Sequence, residues 1–418
     1  MTIEITTVDT PVAAPANAAE PLRIFIIAGE QSGDNLGGSL MESLNALYPG
    51  IEFRGIGGAQ MQAEGLSSLF PMEELSVMGI TEVIPRLPKI LARMRQTVKA
   101  ILDFKPHALV TIDSPDFCFR IAKKVKAKTK DIPCIHYVAP SVWAWRPERA
   151  QKVAGFLDHL LTLLPFEPPY FEEHGLASTF VGHPVVERTD VRGDGARFRE
   201  RYGLKPKQPI LCMLPGSRMS ELKRLLPKFA ETADIVLQSR HDAVIVLPTL
   251  PHLKPYIEKF FVGKGINPIV TDVTQDKFDC FAASMVAIAA SGSVTLELAL
   301  CDTPHIIAYK LGPFSAWLAK KIIKTPYVNL VNIVMKKTVV PELLLENCEP
   351  KPMSWEVLKL MRDREARTAQ LTDFRAALIA LGLGDPETPG HRGAQAVLQA
   401  IGRPVPEEGV AGTEAEAA

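Results

Sequence analysis

The chain has 418 residues, of which 47% are hydrophobic and 22% charged, and its 47 basic residues are balanced by 47 acidic ones. This composition excludes a disordered chain, a collagen-like chain and, because the six cysteines lie far apart, a disulfide scaffold. The zero net charge argues against nucleic acid as the main partner. The length predicts two domains of ~150–200 residues each.

The two ends of the chain contain little that could fold. Residues 1–20 lack Lys and Arg, and Pro11 and Pro15 interrupt their apolar residues, so they do not have the form of a signal peptide. No apolar run reaches the ~20 residues that span a bilayer. We predict a disordered head over 1–20, a disordered tail over 404–418 and, from the isolated thiols, a cytoplasmic protein.

The ordered part begins at residues 22–28, a continuous apolar run typical of a strand that is buried on both faces of a parallel sheet. Ser32-Gly33-Asp34 then opens a helical stretch to Leu47. Strand-like and helical stretches alternate from there, which indicates open α/β sheets with right-handed crossovers. Further strands are predicted at 108–112, 134–138, 157–164, 210–214, 243–247, 268–270, 286–290 and 305–308. Helices are predicted at 117–130, within 219–238, and at 355–381 and 392–401.

This pattern predicts two Rossmann-like parallel-sheet domains that face each other across an interdomain cleft. The N-terminal domain covers 21–183 and the C-terminal domain 209–381, and the charged, proline-containing region 184–208 is a linker with a short helix. A C-terminal helix over 382–403 can return to the N-terminal domain. In such folds, ligands bind at the carboxyl ends of the strands.

The segment 286–297 ends a strand-like run in Ser291-Gly292-Ser293 and starts a helix at once. Glycine lets a backbone approach a ligand, and the N–H groups of a first helical turn attract anions. No carboxylate lies within three residues of either serine to occupy these donors. Taken alone, the segment supports a phosphate site and a turn capped by its own serine equally.

Pro215-Gly216-Ser217 follows another strand-like run and precedes Arg218 at a helix start. A cation at a helix N-terminus is electrostatically unfavourable unless an anion lies beside it, and arginine can bind phosphate through two N–H groups. The alternative is an ordinary surface arginine. Two such loops in one half of the chain favour a diphosphate-binding domain.

Standard nucleotide and metal motifs do not occur in the sequence. There is no G-x-x-x-x-G-K-[ST], and the glycines at 33–38 and 55–58 miss the G-x-G-x-x-G spacing. A P-loop ATPase and a hydride-transfer enzyme are therefore disfavoured. Metal-ligand clusters are also missing, so we expect no metal and no cofactor, with Arg, Lys and helix N-termini neutralising a diphosphate leaving group.

Asp113 directly follows a strand-like run, where a carboxylate faces the expected cleft and can act as a general base. The local sequence favours the alternative, in which Asp113 caps the following turn or Asp116 caps the next helix. Glu30 and His136 also lie at strand ends. A histidine in the protein core is the default interpretation of His136.

Two stretches, 83–102 and 303–341, combine basic and apolar residues without any acid. Such stretches on a neutral chain indicate an anionic membrane or bound acyl chains, and the alternative is ordinary amphipathic helices. For 88–102 we favour the ordinary helix, with its apolar residues packed inward: Leu91, Met94, Val98 and Ile101.

For 78–87 we favour the membrane, because Pro85 and Pro88 disfavour a regular buried helix. The predicted membrane or acyl contacts are Met78, Ile80, Val83, Ile84, Arg86, Leu87 and Trp317.

Eight stretches together resemble bacterial lipid-A-disaccharide synthase, a family of inverting, UDP-sugar-dependent glycosyltransferases of Gram-negative bacteria. They are AGEQSGDNLGG (28–38), MEELSVMGITEV (72–83), IDSPDF (112–117), HYVAPSVWAWRPERA (136–150), LPFE (164–167), LPGSR (214–218), ASGSVTLE (290–297) and FSAWLAKKIIKTPYVNLVNI (314–333). The resemblance runs in order from about residue 22 to 400, and its tryptophan-rich stretch is very specific.

The resemblance implies a fold of the GT-B type, with two Rossmann-like halves. It implies transfer of 2,3-diacylglucosamine from its UDP-linked donor to 2,3-diacylglucosamine 1-phosphate, which forms a β(1→6) bond and releases UDP. By resemblance Asp113 is the general base, and Glu30, Arg218, Glu297 and Asn332 match other active-site positions, with Glu297 on the ribose hydroxyls. The two loops complete the predicted UDP-binding set: Gly216, Ser217, Arg218, Ser291, Gly292, Ser293, Glu297 and Asn332.

Acylated, anionic substrates imply a peripheral protein on the inner face of the inner membrane. Two alternatives stay open: a UDP-N-acetylglucosamine epimerase or other UDP-sugar transferase of the same fold, and a non-catalytic lipid-binding protein. The sequence does not decide between a monomer and a homodimer.

Overall fold

A computed structural model describes the protein over residues 21–75 and 80–405. Its strands form two sheets. The strands of the first sheet are β1 (Arg23–Ala28), β2 (Glu52–Ile56), β3 (Ser67–Ser68), β4 (Ala108–Ile112), β5 (Cys134–Tyr137), β6 (His159–Thr162) and β7 (Ala177–Phe180). Those of the second are β8 (Ile210–Leu214), β9 (Val244–Pro248), β10 (Ile269–Thr271), β11 (Val286–Ala289), β12 (His305–Tyr309) and β13 (Glu342–Leu344).

Helices connect most of these strands. They are α1 (Gln31–Leu47), α2 (Ala59–Ala63), α3 (Ile80–Phe104), α4 (Pro115–Lys126), α5 (Glu148–Ala154), α6 (Pro169–Glu172), α7 (Gly195–Arg201), α8 (Met219–Ser239), α9 (Lys254–Phe261), α10 (Thr274–Ala283), α11 (Val294–Leu300), α12 (Pro313–Ile322), α13 (Leu330–Met335), α14 (Pro350–Arg362), α15 (Arg364–Ala380) and α16 (Pro389–Ala400). Short 3₁₀ turns lie at Met72–Glu74, Pro184–Val191 and Leu345–Asn347.

The first sheet has the strand order β3-β2-β1-β4-β5-β6-β7, and β1 pairs in parallel with both β2 and β4. Its central strands are buried on both faces, because helices cover a parallel sheet on each side. The order reverses between β1 and β4. Such a reversal opens a crevice at the carboxyl ends of the two strands, where open α/β sheets bind ligands.

The second sheet repeats this arrangement in the order β10-β9-β8-β11-β12-β13, and its pairings are parallel. Its order reverses between β8 and β11. The predicted α/β fold with two parallel sheets is therefore confirmed. The strands predicted at 108–112 and 210–214 have the observed bounds, because continuous apolar runs mark central strands clearly.

The chain divides into two compact units. One contains the described residues up to His136 together with those from Val397 onward, and the other contains Tyr137–Ala396.

Strand β2 was not among the predicted strands, because its sequence EFRGI mixes charged and apolar residues with a glycine. Gly55 in this strand has a φ of +157°, and a Cβ atom placed on it would lie 1.7 Å from the carbonyl oxygen of Ile26. Only glycine permits this approach of β2 to β1.

Helix α3 corrects the interpretation of its two prolines. The helix is continuous from Ile80 to Phe104 and contains both Pro85 and Pro88, so the expectation that these prolines disfavour a regular helix is wrong. Each proline removes one N–H from the hydrogen-bond ladder. Burial of the later residues Met94, Val98 and Ile101 stabilises the helix and offsets this loss.

Two further predictions are corrected. Leu91 in α3 is 41% exposed, so it does not pack inward as expected. The helical pattern predicted at 355–381 forms two helices, α14 and α15, because Asp363 ends the first and caps the second by accepting a hydrogen bond from the Ala366 N–H. In the described part of the chain, none of the helices combines the length and the apolarity needed to cross a bilayer.

Candidate active site

The switch point of the first sheet carries two of the predicted catalytic carboxylates. Ala28 at the end of β1 pairs with Ile112 at the end of β4, so the residues that follow both strands lie at one edge of the sheet. Glu30 comes two residues after β1, and Asp113 comes directly after β4. Pairing of the strands thus places both carboxylates at the position where this fold binds ligands.

Asp113 adopts an unusual backbone conformation. Its φ is +50°, and that of the next residue, Ser114, is +42°, a region that costs non-glycine residues of order 1–3 kcal/mol. The Ser32 hydroxyl donates a hydrogen bond to Asp113 Oδ2 at 3.4 Å. Ser114 occupies the first cap position of α4 and makes no capping bond with its side chain. The half-buried Asp113 carboxylate therefore accepts a hydrogen bond from Ser32, in the first turn of α1, and a capping role for it is not observed.

Gly29 permits the close approach of the two loops at this edge. A Cβ atom on Gly29 would lie 2.6 Å from Ser114 Oγ and 2.9 Å from Ser114 Cβ. Glu30 follows in extended conformation as the first cap residue of α1, and its side chain makes no capping hydrogen bond with that helix.

Asp34 fixes the neighbouring loop, a role that sequence reasoning missed. Its fully buried carboxylate accepts hydrogen bonds from the N–H groups of Gly58, Gln60 and Met61 at 2.7, 3.0 and 3.1 Å. The only local sign of this role in the sequence was the carboxylate of Ser32-Gly33-Asp34. The N–H groups that bond to it lie more than twenty residues further along the chain. Asp34 thus holds the start of α2 against α1.

His136 is a buried core residue, as its default interpretation predicted. Its Nδ1 atom lies 2.8 Å from the Thr111 hydroxyl oxygen, and its ring packs edge-on against Phe119 at 4.5 Å.

The switch point of the second sheet carries the two glycine–serine loops. Leu214 at the end of β8 pairs with Ala289 at the end of β11, and the Ala290 N–H donates to the Leu214 carbonyl at 2.8 Å. The loops at 215–218 and 290–293 therefore lie side by side. Within them Ser217, Gly292 and Ser293 are exposed, and Gly216 and Ser291 are half-buried.

The serines of the second loop do not cap their own helix. Ser293 is the first cap residue of α11, and its side chain makes no capping bond. Instead, the Thr295 hydroxyl donates to the carbonyl oxygen of Gly292 at 2.9 Å. A turn capped by its own serine was one of two equal interpretations of this segment, and the structure does not show it.

Arg218 lies at the N-terminus of the long helix α8, at the positive end of the helix dipole. Its Nη1 atom is 3.4 Å from Glu221 Oε1, which also accepts a hydrogen bond from the Tyr309 hydroxyl at 3.0 Å. Burial and the Glu221 charge raise the pKa of Tyr309. A Cβ atom on Gly216, whose φ is +112°, would lie 2.7 Å from Glu221 Oε2, so glycine is required there. Sequence reasoning assigned no role to Glu221 or Tyr309.

Glu297, one turn into α11, forms an ion pair that the sequence did not indicate. Its Oε2 atom lies 2.5 Å from the Nζ atom of Lys277 on α10. The side chain of Glu297 is mostly buried and that of Lys277 is one-third exposed. No local spacing relates these two residues, since different helices carry them.

Asn332 is fully buried and belongs to a structural network. Its amide nitrogen donates to the Val340 carbonyl and to Glu342 Oε1, both at 2.8 Å. Its amide oxygen accepts from the N–H groups of Val339 and Val340, also at 2.8 Å. A direct ligand contact by this side chain would require one of these bonds to break.

The tryptophan-rich loop is joined to the LPFE stretch by a buried carboxylate. Trp143 Nε1 donates to Glu167 Oε1 at 3.1 Å, and the Leu164 N–H donates to Glu167 Oε2 at 3.1 Å. Burial raises the pKa of Glu167 to about 7. No motif or spacing in the sequence indicated that these two stretches meet.

The predicted membrane contacts are described only in part. Met78 lies outside the described residues, and so do the side chains of Ile80, Val83, Ile84 and Arg86. Leu87 is 47% exposed, one helical turn before the exposed Leu91. Trp317 is 53% exposed, and the Nζ atom of Lys321 lies 4.1 Å from the centre of its ring.

Over residues 21–75 and 80–405, no group of three or more His, Cys, Asp or Glu side chains is arranged to hold a metal ion.

Comparisons with known proteins cover almost the whole chain. Residues 24–381 match the family model described as lipid-A-disaccharide synthetase. The lipid-A-disaccharide synthase of Rhodospirillum centenum is 49% identical over 383 residues, which are 91% of this chain and 95% of the relative.

Solved structures of low sequence identity share the fold. The calicheamicin glycosyltransferase CalG4 superposes with a TM-score of 0.58 at 14% identity, over 93% of this chain and all of the other. The UDP-GlcNAc 2-epimerase of Neisseria meningitidis, solved with UDP-GlcNAc bound, superposes with a TM-score of 0.57 at 9% identity, over 91% of this chain and 98% of the other. At such identities the likeness shows the fold alone. The family is decided by the match over residues 24–381 and by the 49% identical relative: the chain belongs to the lipid-A-disaccharide synthetase family of glycosyltransferases.

Proposed function

We propose that the protein transfers 2,3-diacylglucosamine from its UDP-linked donor to the 6-hydroxyl of 2,3-diacylglucosamine 1-phosphate, forming a β(1→6) disaccharide and UDP. The observation that carries the proposal is the family match over 24–381, which includes the switch points of both sheets. One switch point carries carboxylates, and the other carries glycine–serine loops with an arginine.

Asp113 is the general base in this proposal. It accepts the proton of the acceptor hydroxyl while the oxygen attacks the anomeric carbon of the donor, and the bond from that carbon to the diphosphate breaks with inversion. General bases contribute ~10²–10⁴-fold to such steps when they are held in place. The hydrogen bond from Ser32 and the strained turn at 113–114 support this role, because they fix the carboxylate at the edge of the sheet. Glu30, at the same edge, completes the acceptor side.

The diphosphate of the donor binds to the two loops of the second sheet in this proposal. Gly216, Ser217, Ser291, Gly292 and Ser293 contribute backbone N–H groups and hydroxyls, and the exposed Arg218 contributes its guanidinium. Charge develops on the leaving diphosphate as the sugar departs, and donors that are already in position stabilise it. We propose that these groups act without a metal ion, so treatment with EDTA is expected to leave turnover unchanged.

Glu297 contacts the ribose hydroxyls in the proposed complex, as a carboxylate one turn beyond the phosphate loop can. For Asn332 we propose an indirect role. Its amide holds Val340 and Glu342, and so it supports the segment before the second sheet's edge strand β13.

We also propose that the protein lies on the anionic inner face of the inner membrane, where acylated substrates reside. The exposed Leu87, Leu91 and Trp317 support this location, since exposed apolar side chains beside basic residues suit a membrane surface.

The test is a comparison of Asp113→Asn with Asp116→Asn. Asp116 is exposed in the first turn of α4, three residues from Asp113, and serves as the matched control. Release of UDP from purified donor and acceptor should fall by about 10²-fold or more in Asp113→Asn and stay unchanged in Asp116→Asn. Mass spectrometry identifies the product, and circular dichroism checks the fold.

Retained turnover in Asp113→Asn would remove Asp113 from the mechanism. An epimerase would convert the donor without any acceptor and yield no disaccharide. A non-catalytic lipid-binding protein would bind UDP but would not cleave the UDP-linked donor.

A further inference from the structure

An apolar cavity of about 470 Å³ lies within the unit Tyr137–Ala396. Three segments form its walls: the tryptophan-rich loop, one face of helix α12, and the segment that leads into α13. Its main apolar lining residues are Trp143, Trp145, Leu318, Ile322, Tyr327 and Ile333. The volume is in the range of small-molecule sites and about three times the ~150 Å³ cavity that admits benzene.

Helix α12 presents a regular face to this cavity. Ser315, Leu318, Ala319 and Ile322 all line it, and their spacing of three and four residues puts them on one side of the helix. Trp317 is not among the lining residues. A hydrogen bond from the Lys324 N–H to the Ala144 carbonyl, at 2.9 Å, joins the chain after α12 to the tryptophan-rich loop.

The other walls are held in place by two carboxylates, of which Glu342 is half-buried and Glu167 is buried. Glu342 accepts hydrogen bonds from the N–H groups of Val328 and Asn329 and from the Asn332 amide. Glu167 fixes the indole of Trp143 on the opposite wall. These hydrogen bonds order two of the wall segments, which lowers the cost of binding.

The cavity exposes apolar side chains that folding has not buried. Leu318, which lines it, is 40% exposed, and Ile323, which also lines it, is 45% exposed. Apolar surface of this kind gains free energy when a ligand removes it from water.

Cations lie next to the cavity. The Arg146 guanidinium stacks 4.5 Å from the ring of Trp145, which lines the cavity, and the exposed Lys324 follows Ile323. The stretch 303–341 contains no acid. An apolar cavity with cations beside it is complementary to an anionic amphiphile, with its hydrocarbon inside and its charge at the surface.

We propose that this cavity binds one acyl chain of an anionic acylated sugar, with Arg146 and Lys324 facing the sugar's phosphate. The identity of the sugar rests on the proposed function, whereas the binding of an acyl chain with an anionic head group can be tested without it. Trp143 also lines a smaller cavity of about 210 Å³ that contains Glu167, so the indole forms a wall shared by the two cavities. The polar carboxyl beyond this wall makes the smaller cavity less suitable for hydrocarbon.

The test uses tryptophan fluorescence, because Trp143 and Trp145 line the cavity. In a background that carries Trp317→Phe and Trp355→Phe, these two remain as the fluorophores, since the chain has four tryptophans. The probe is dodecyl phosphate brominated on its chain, used below its micelle concentration. We expect saturable quenching, which unbrominated dodecyl phosphate should relieve by competition.

Two matched variants locate the binding. Ala319→Phe fills the cavity, and Ala316→Phe places the same side chain on α12 at a position that does not line the cavity. Ala319→Phe should raise the dissociation constant of the probe about tenfold or more, equivalent to the loss of roughly two buried methylene groups. Ala316→Phe should leave it unchanged. No saturable quenching, or equal effects of the two variants, would overturn the proposal.

Steady-state kinetics separate this proposal from the proposed function. With a long-chain acceptor, Ala319→Phe should raise KM about tenfold, and with a short-chain, water-soluble acceptor it should leave KM and kcat unchanged. Equal effects on both acceptors would contradict acyl binding in this cavity. Specific probe binding in a protein that releases no UDP from the donor would leave the cavity assignment standing and remove the proposed function.

Discussion

The Nζ atom of Lys277 lies 2.5 Å from Glu297 Oε2, so one ion pair links α10 to the helix that follows the Ser291–Ser293 loop. Lys277 is also close to two aromatic rings of its own helix, at 5.1 Å from the centre of Phe278 and 5.8 Å from that of Phe281. These contacts leave the lysine few alternative positions. The pair therefore fixes the carboxylate that we propose to bind the ribose.

Substitution of Lys277 tests this positioning role. Lys277→Ala should raise KM for the UDP-linked donor about fivefold, equivalent to about 1 kcal/mol, because Glu297 regains the rotamers that the ion pair excludes. The kcat value should change little, since the bond-breaking step does not involve Glu297. Initial rates at varied donor concentration give both values.

Lys259→Ala is the control for this prediction, since Lys259 is an exposed lysine in the last turn of α9. An unchanged donor KM in Lys277→Ala, or an equal change in Lys259→Ala, would show that the ion pair does not position Glu297.

Glu167 predicts a pH dependence of stability. Burial raises its pKa from the usual 4.5 to about 7 in the folded protein, so the folded state holds its proton more tightly than the unfolded state. The stabilising contribution of Glu167 to the free energy of unfolding is fully present below about pH 4.5. It decreases as the pH rises to about 7. The decrease is of order 3 kcal/mol, from the difference between the two pKa values.

Glu167→Gln removes the titration and keeps an oxygen that can accept the Trp143 N–H. Urea unfolding of both proteins between pH 4 and pH 8 gives the difference in their free energies of unfolding. The free energy of unfolding of the wild-type protein should fall relative to that of Glu167→Gln as the pH rises from about 4.5 to 7, and the difference should then level off. A difference that is constant over this range would mean that Glu167 does not titrate there.

The exposed leucines of α3 predict membrane binding. Leu87→Ser with Leu91→Ser should weaken binding to vesicles that contain phosphatidylglycerol by about tenfold or more, because two apolar side chains no longer enter the lipid interface. Vesicle flotation at fixed salt measures the bound fraction. Ile379→Ser is the control, since Ile379 is a similarly exposed apolar residue on α15. Equal binding by all three proteins would remove α3 from the membrane contact.

The sequence by itself determined the central strands of both sheets, the glycine–serine loops and the family. Strands such as Ala108–Ile112 and Ile210–Leu214 are continuous apolar runs, because central strands of a parallel sheet are buried on both faces. Loops such as Ser291-Gly292-Ser293 carry their chemistry in adjacent residues. Apolar runs and glycine–serine loops consist of residues that are adjacent in the chain, so they can be recognised in the sequence without the tertiary structure.

Only the tertiary structure decided which distant residues meet. Lys277 and Glu297 pair between two helices, Tyr309 reaches Glu221 from the end of β12, and Glu167 fixes Trp143. The continuous helix through Pro85 and Pro88 likewise depends on packing of its later residues. The apolar cavity exists because α12 lies against a loop that is more than 150 residues earlier in the chain. Side chains at such separations meet through strand pairing and helix packing, and neither has a period or a spacing in the sequence.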